Sequence, residues 1–443
     1  MKQRQDCQAL DAADALRPLR EHFVLPEGVI YLDGNSLGVL PDATEARVLQ
    51  VIRQEWGTDL IKSWNTAGWM DLPRRIGNKI AWLVGAGEDE VVVADSTSLN
   101  LYKVLAAALR IAGEDHPERR VILSERSNFP TDLYIAESLA AQHGFTLKLF
   151  DHVDELPALI NGELAVLMLT EVNYRSGYKH DMAGLTRLAH AAGALVIWDL
   201  AHSAGAVPVD LKGADADFAI GCGYKYLNGG PGAPAFVWAH PRHVDRFWQP
   251  LSGWLGHAAP FQFTPNYTPA PGIGRYICGT PAILSMAALE CGVDVFLASE
   301  PLGGMPALRR KSIALTELFI ELVETRCGIK AAGAQGGFRD LGVRLASPRD
   351  AAHRGSQVCL RLESPLQEAG YAVVQALISR GVVGDFRAGD PKQLEATPHI
   401  LRFGFTPLYL RFTDVFDAVE HLRQVLETSE WRQPQFNSKA SVT

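Results

Sequence analysis

Between residues 90 and 239 the chain alternates strand-length apolar runs with helical stretches, and this alternation limits the possible folds more than any other feature. The runs 91–93, 120–123, 145–150, 164–170, 194–198, 217–220 and 235–238 are apolar and short, as buried strands are. Apolar positions at helical spacing predict helices over 99–111, 133–143 and 182–192 between them. Regular succession of this kind predicts a parallel sheet with helices on both faces. Sheets of that type bind ligands at the carboxyl edge of their strands, so the residues just after each run are where chemistry is expected.

Two of those edges fall in one stretch, 195–232, with the sequence LVIWDLAHSAGAVPVDLKGADADFAIGCGYKYLNGGPG. The run 194–198 ends on Asp199, and His202 follows three residues later. The run 217–220 leads through Gly221-Cys222-Gly223 to Tyr224-Lys225-Tyr226 and a glycine-rich loop. If the two strands lie close, a carboxylate and a lysine share one sheet edge. A lysine in an apolar, glycine-rich setting suits Schiff-base chemistry, and a nearby carboxylate is the partner a pyridinium nitrogen needs. Each residue also has a plainer reading: Lys225 as a turn lysine, Asp199 as a helix cap, His202 as a half-buried histidine.

Upstream, Asp95-Ser96-Thr97-Ser98 joins the strand 91–93 to its helix. Ser and Thr at such a junction cap the helix, and its free N–H groups and positive dipole end form a ready phosphate site; capping alone would use the same residues. A loop is expected at 128–132. The first 27 residues read as a helix or arm, 29–32 as a strand running into the turn Asp33-Gly34-Asn35-Ser36, 43–56 and 72–84 as helices, and 62–71 as a connecting loop. The Pro- and aromatic-rich segment 253–279 is too long for a simple connection, so it is expected to be functional or an interface. Thr280 and Pro281 open a helix running toward residue 299. A long helix over 305–327 leads to a smaller αβ unit, with strands at 341–346, 357–362, 382–387 and 400–403, helices at 367–380 and 414–428, and a frayed polar tail after Glu430. The domains are therefore expected at 1–60 (N-terminal arm and helix), 61–300 (large cofactor-binding domain) and 301–443 (small C-terminal domain).

Composition excludes several partners. There are 42 Lys and Arg against 50 Asp and Glu, a net charge of -8 with no basic block, which argues against nucleic acid or an acidic membrane and favours a small-molecule substrate. No apolar run approaches the roughly 20 residues of a membrane helix. The six cysteines form no CxxC pair and no signal peptide is evident, so reduced thiols and a cytoplasmic location are expected, with no metal site.

Taken together and in order, Tyr31-Leu32-Asp33-Gly34-Asn35-Ser36-Leu37-Gly38, Asn128-Phe129-Pro130-Thr131-Asp132, Trp198-Asp199-Leu200-Ala201-His202 and Tyr224-Lys225-Tyr226-Leu227-Asn228 resemble the kynureninase family. The resemblance runs from about residue 31 to the C-terminal helix. It implies a homodimeric fold-type-I enzyme dependent on pyridoxal 5'-phosphate: an α/β large domain whose mainly parallel seven-stranded sheet is sandwiched by helices, plus a smaller α+β C-terminal domain. The implied reaction is hydrolysis of L-kynurenine, or its 3-hydroxy form, to anthranilate or 3-hydroxyanthranilate and L-alanine, in tryptophan degradation.

The resemblance also implies roles. Lys225 would carry the cofactor and remove the substrate α proton, Asp199 would hold the pyridine nitrogen protonated, and Tyr224 would be acid or base for later proton transfers. Thr97 and Ser98 would bind the phosphate with help from Tyr224. Phe129 would stack on the ring, and Pro130, Thr131, Asp132, Thr170 and His202 would complete the cofactor site. Trp254 and Thr280 would reach the phosphate across the dimer, Arg402 would grip the substrate α-carboxylate, and Thr58 and Trp64 would shape the substrate pocket. The rivals are another fold-type-I enzyme, such as an aminotransferase or cysteine desulfurase, and a catalytically silent relative. Tyr on both sides of Lys225 speaks against a desulfurase, which usually shows His beside its lysine.

Overall fold

The computed structural model describes residues 2–247, 249–327, 340–392, 394–395 and 397–438; of the C-terminal domain expectation, residues 328–339, 393, 396 and 439–443 lie outside these. The chain forms two compact units: Met1–Asp42, Arg175–Lys179 and Ala298–Thr443 make one, and Ala43–Tyr174 with His180–Leu297 the other. The N-terminal segment is thus divided at Asp42, and residues 2–42 fold with the C-terminal unit.

In chain order the strands are β1 (Ile30–Tyr31), β2 (Val91–Val93), β3 (Val121–Glu125), β4 (Thr146–Phe150), β5 (Leu164–Thr170), β6 (Leu195–Asp199), β7 (Phe218–Gly221), β8 (Phe236–Ala239), β9 (Val343–Leu345), β10 (Gln357–Leu362), β11 (Val382–Val383), β12 (Asp385–Arg387) and β13 (Ile400–Gly404). The larger unit holds one seven-stranded sheet of order β2-β8-β7-β6-β5-β3-β4. Strands β4, β3, β5, β6 and β7 run parallel, while β8 is antiparallel to both β7 and β2. Every residue of β5, β7 and β8 is buried, as strands covered on both faces must be. The helix Thr97–Asp115 presents Leu101, Val104, Leu105, Ala108 and Ile111 to this core at the three- and four-residue spacing of an apolar stripe. Each fully buried aliphatic side chain of this kind contributes about 1.5–3 kcal/mol.

Parallel strands all leave the sheet on one side, which brings the residues after β5, β6 and β7 together. The pairing Thr170↔Asp199 and Asp199↔Ile220 puts the ends of these strands side by side. Local expectations fail at three places in this unit. Pro130, Thr131 and Asp132, expected in a loop, form the first turn of the helix Pro130–His143, because Pro at the helix start lacks only an N–H the helix does not need. The expected loop 62–71 contains a short helix, Ser63–Thr66, and the expected helix 43–56 is α-helical only over Ala43–Gln50, then widens to a π-helix over Val51–Asp59.

The smaller unit carries an antiparallel sheet of order β12-β13-β10-β9 and a parallel pair of β1 with β11. The single strand expected at 382–387 divides at Gly384, so that β11 joins β1 and β12 joins β13. A Cβ at Gly384 would lie 2.7 Å from the Phe403 ring. The helix Gly304–Arg326 lies within this unit, its Phe319 ring packed on Phe403 at 5.2 Å and Phe405 at 5.1 Å. The tail is docked rather than frayed as far as residue 438: Phe436 is buried, and Tyr371 Oη donates to the Ser438 carbonyl at 3.2 Å.

Candidate active site

At the carboxyl edge of the seven-stranded sheet a cavity is lined by Thr97, Ser98, Phe129, Thr131, Asp132, Thr170, Tyr174, Asp199, Ala201, His202, Tyr224 and Lys225. Lys225 reaches it by a tight turn after β7. Gly223 makes that turn possible, since a Cβ there would lie 2.3 Å from the Pro234 carbonyl oxygen. Asn228, at φ +56°, closes the turn by donating its N–H to the Lys225 carbonyl at 2.9 Å.

Lys225 Nζ lies 3.0 Å from His202 Nε2 and stands over two rings, 5.7 Å from the centroid of Tyr224 and 5.9 Å from that of Phe129. His202 is only 3 % exposed. The exposed Phe129 is fixed edge-on against Tyr174 at 5.3 Å. Asp199 Oδ1 accepts the Ala201 N–H at 2.8 Å, and its Oδ2 accepts Thr170 Oγ1 at 3.4 Å. Thr170 Oγ1 also donates to Asn128 Oδ1 at 2.5 Å, and Asn128 Oδ1 accepts the Phe129 N–H at 2.7 Å, so one amide side chain ties β5 to the Phe129 turn.

Asp132 and Asp199 form a buried carboxyl pair. Burial raises Asp199 above the usual carboxylate range, against the opposing pull of the Lys225 charge. Burial raises Asp132 well above that range, and the neighbouring Asp199 charge adds to the rise. Burial thus raises both carboxyls of the pair. Asp132 Oδ2 is buried without a hydrogen-bond partner, which is costly unless a further donor enters the cavity.

At the other end of the cavity Ser96 caps the helix Thr97–Asp115, its side chain accepting the Leu99 N–H at 3.3 Å. The cap is thus one residue earlier than Thr97, which leaves Thr97 and Ser98 in the first turn, where N–H groups face outward for an anion. A pyridine ring carrying a phosphate fits this donor set: a buried carboxyl pair for a protonated nitrogen, a lysine for an aldehyde and a helix N-terminus for the phosphate.

Comparison with known proteins gives the family of the chain. Residues 44–343 match the aminotransferase class-V family and residues 308–422 match the kynureninase C-terminal domain. A kynureninase of Pseudomonas fluorescens is 57 % identical over 445 residues, covering 100 % of both chains. The chain belongs to the kynureninase family. A kynureninase of Burkholderia mallei is 56 % identical over the same full length. Among solved structures, a cysteine desulfurase of Thermococcus onnurineus superposes with a TM-score of 0.74 at 20 % identity, covering 93 % of this chain and 98 % of that one. The C-DES protein with glycine covalently linked to its PLP cofactor gives 0.75 at 14 % identity, covering 91 % and 98 %. These two establish the fold-type-I architecture; the kynureninase matches narrow it to one family.

Measured against what kynureninase resemblance implied, most of the expected site residues converge on one cavity. Pro130 is absent from the lining because it stands at the exposed start of its helix. Trp254 and Thr280 line two other cavities, Trp254 with Phe263 and Tyr267, Thr280 with Asp95 and Ser96. Tyr174, Ala201 and Asn128 were missed as site residues. Tyr174 had a signal, since it follows β5 at the same sheet edge as Asp199 and Lys225.

Arg402 belongs to the smaller unit. It is 1 % exposed, faces Asp385 across the β12–β13 pair, forms an ion pair with it, and donates to Ser36 Oγ at 2.7 Å. Arg387 joins Asp385 at 2.7 Å. Burial, helped by the Asp385 charge, pushes Asp33 in this cluster up to about 7, although Arg402 opposes it. Asp33, Gly34, Asn35 and Ser36, one of the segments that carried the resemblance, thus meet Arg402 within one unit.

Proposed function

We infer that this chain hydrolyses L-kynurenine, and its 3-hydroxy form, to anthranilate or 3-hydroxyanthranilate and L-alanine, using pyridoxal phosphate. The observation that carries the reading is Lys225 beside the Asp132–Asp199 pair at the sheet edge, in a chain alike to kynureninases from end to end. When bound, the cofactor supplies an electron sink for the carbanion next to the substrate amine.

The chain's own groups supply the rest. Thr97 and Ser98 at their helix start, with the Tyr224 hydroxyl, bind the phosphate. Asp199 would hold the proton on the ring nitrogen, with Asp132 beside it in the same buried space. Phe129 covers one face of the ring. Lys225 would hold the cofactor's aldehyde, and its tether beside the substrate α carbon would let it take the α proton. His202 Nε2, 3.0 Å from Lys225 Nζ, orients the amine. Tyr224 moves the later protons, including the one needed when water adds to the γ carbonyl and the bond between the β and γ carbons breaks. Arg402 grips the α-carboxylate, the task a guanidinium fork suits best.

The reading includes a homodimer in which Trp254 and Thr280 serve the partner's phosphate, and a cytoplasmic location. Support for the dimer comes from the exposed aromatic cluster Trp254, Phe261 and Phe263, whose rings lie 5.8 to 6.4 Å apart. No helix among the described residues is long and apolar enough to cross a membrane. Purified protein with pyridoxal phosphate is expected to release anthranilate from kynurenine and hydroxyanthranilate from 3-hydroxykynurenine. Failure on both substrates, with turnover of cysteine or of an amino acid plus a 2-oxo acid, would overturn the assignment.

A further inference from the structure

Lys103 is a fully buried lysine one and a half turns into the helix Thr97–Asp115. Its Nζ donates in three directions: to the Asp95 carboxylate, to Asn100 Oδ1 at 3.1 Å and to the Tyr276 carbonyl at 2.7 Å. Asp95 is the residue between β2 and the Ser96 cap, and it is held at φ +48°, a left-handed conformation that costs a non-glycine residue energy. Asn100 in turn donates to the Ala94 carbonyl at 2.8 Å, and Cys278 Sγ lies 3.4 Å from Asp95 Oδ2. The Ala94–Ser98 turn is therefore fixed from behind by an ammonium group that touches no cavity residue itself.

A buried ammonium is expensive unless fully paired, and a hydrophobic side chain of similar length would fill the same space at lower cost. The lysine does something packing alone does not: it holds a strained Asp95 in place, and with it the N–H groups of Thr97 and Ser98. We propose that Lys103 is a positioning residue for the phosphate of the cofactor, acting through Asp95 to set the turn that presents Thr97 and Ser98. The proposal rests on the reading of Thr97 and Ser98 as the phosphate site.

The test titrates full-length protein, resolved from its cofactor, with pyridoxal phosphate and separately with pyridoxal, following the cofactor's absorbance. Lys103→Met is expected to weaken pyridoxal phosphate about tenfold, the scale of one lost charged hydrogen bond, while pyridoxal binding stays at the wild-type value. The double variant Lys103→Met with Asp95→Asn removes both charges, leaves no unpaired buried ion, and is expected to show the same selective loss; it serves where the single variant does not fold. A purely structural lysine would weaken both ligands together or neither, and either result overturns the proposal. Thr97→Val with Ser98→Ala separates this from the underlying reading. If that control loses pyridoxal phosphate selectively and the Lys103 variants do not, only Lys103 falls. If the control also binds both ligands as wild type does, the phosphate site falls with it.

Discussion

Two buried carboxylates stand at opposite ends of the same strands, and their surroundings treat them in opposite ways. Asp199 ends β6 at the carboxyl edge; Asp217 precedes β7 at the other edge, level with Val196. Asp217 is 1 % exposed and fully served: His190 Nε2 and His243 Nε2 each lie 2.8 Å away, the Val196 N–H donates at 2.8 Å and Arg242 at 2.6 Å. Burial alone would raise this carboxyl, but the hydrogen bonds from His190 and His243, with Arg242, hold it far below the usual range. Asp199 has one backbone N–H, a longer threonine contact and a second carboxyl group, and it is raised. A satisfied buried charge supports the fold. A buried carboxyl served by few donors and set beside a second carboxyl is the kind of group that functional sites hold.

The sharpest way to test the contrast is at the hungry end. Lys225→Ala is expected to lower kcat on the order of 10⁴-fold, the upper range for loss of a positioned acid–base group, without lowering the melting temperature of the cofactor-free protein. Loss of folding in step with activity would mean that this edge is structural too.

The two aspartates themselves should give mirror-image results. Asp217→Asn leaves His190, His243 and Arg242 facing a neutral amide and is expected to cost about 3–5 kcal/mol of stability by denaturant unfolding, with kcat of the folded fraction near wild type. Asp199→Asn is expected to lower kcat about 10²–10³-fold, as loss of a preorganised electrostatic group does, while the unfolding midpoint stays level or rises. If Asp199→Asn were the more destabilising of the pair, the contrast between them would be wrong.

The sequence shows one end of this comparison and hides the other. Asp199, His202 and Lys225 lie in one short stretch, each just past an apolar run, so strand ends and chemistry were legible together. The partners of Asp217 are scattered over residues 190–243, and nothing at sequence level says that a histidine in one helix and an arginine three strands later meet one carboxylate. The same limit applies to strand direction. β8 reads like any other buried strand, yet it runs antiparallel, because direction is set by the connection after Lys225 rather than by the residues within the strand. The run 382–387 is interrupted by Gly384, where a Cβ would meet the Phe403 ring, but that the two halves join different sheets shows only in the pairing. Asp132 shows the intermediate case: its motif is recognisable, but the rise of its carboxyl above the ordinary range depends on burial beside Asp199.

The smallest expected effect probes the satisfied end through pH. Its hydrogen bond to Asp217 raises His190 above its ordinary value, although partial burial and Arg242 oppose the rise. A histidine raised in the folded state contributes stability that is complete below its unfolded value of about 6.5 and disappears as pH climbs through the higher folded value. Asp217, being lowered, contributes in the opposite sense: its share is present above the ordinary carboxylate range and is lost only as pH falls through the depressed folded value. At neutral pH Asp217 is therefore a constant background against which the His190 contribution is read. His190→Gln should melt below wild type at pH about 6 and approach it as pH rises through the raised folded value. A gap that stays constant across that window would mean the histidine acts by packing and not by charge. Repeated on Asp199→Asn protein, the series should keep the same shape, because the two carboxylates are separated by the length of the strand and share no partner.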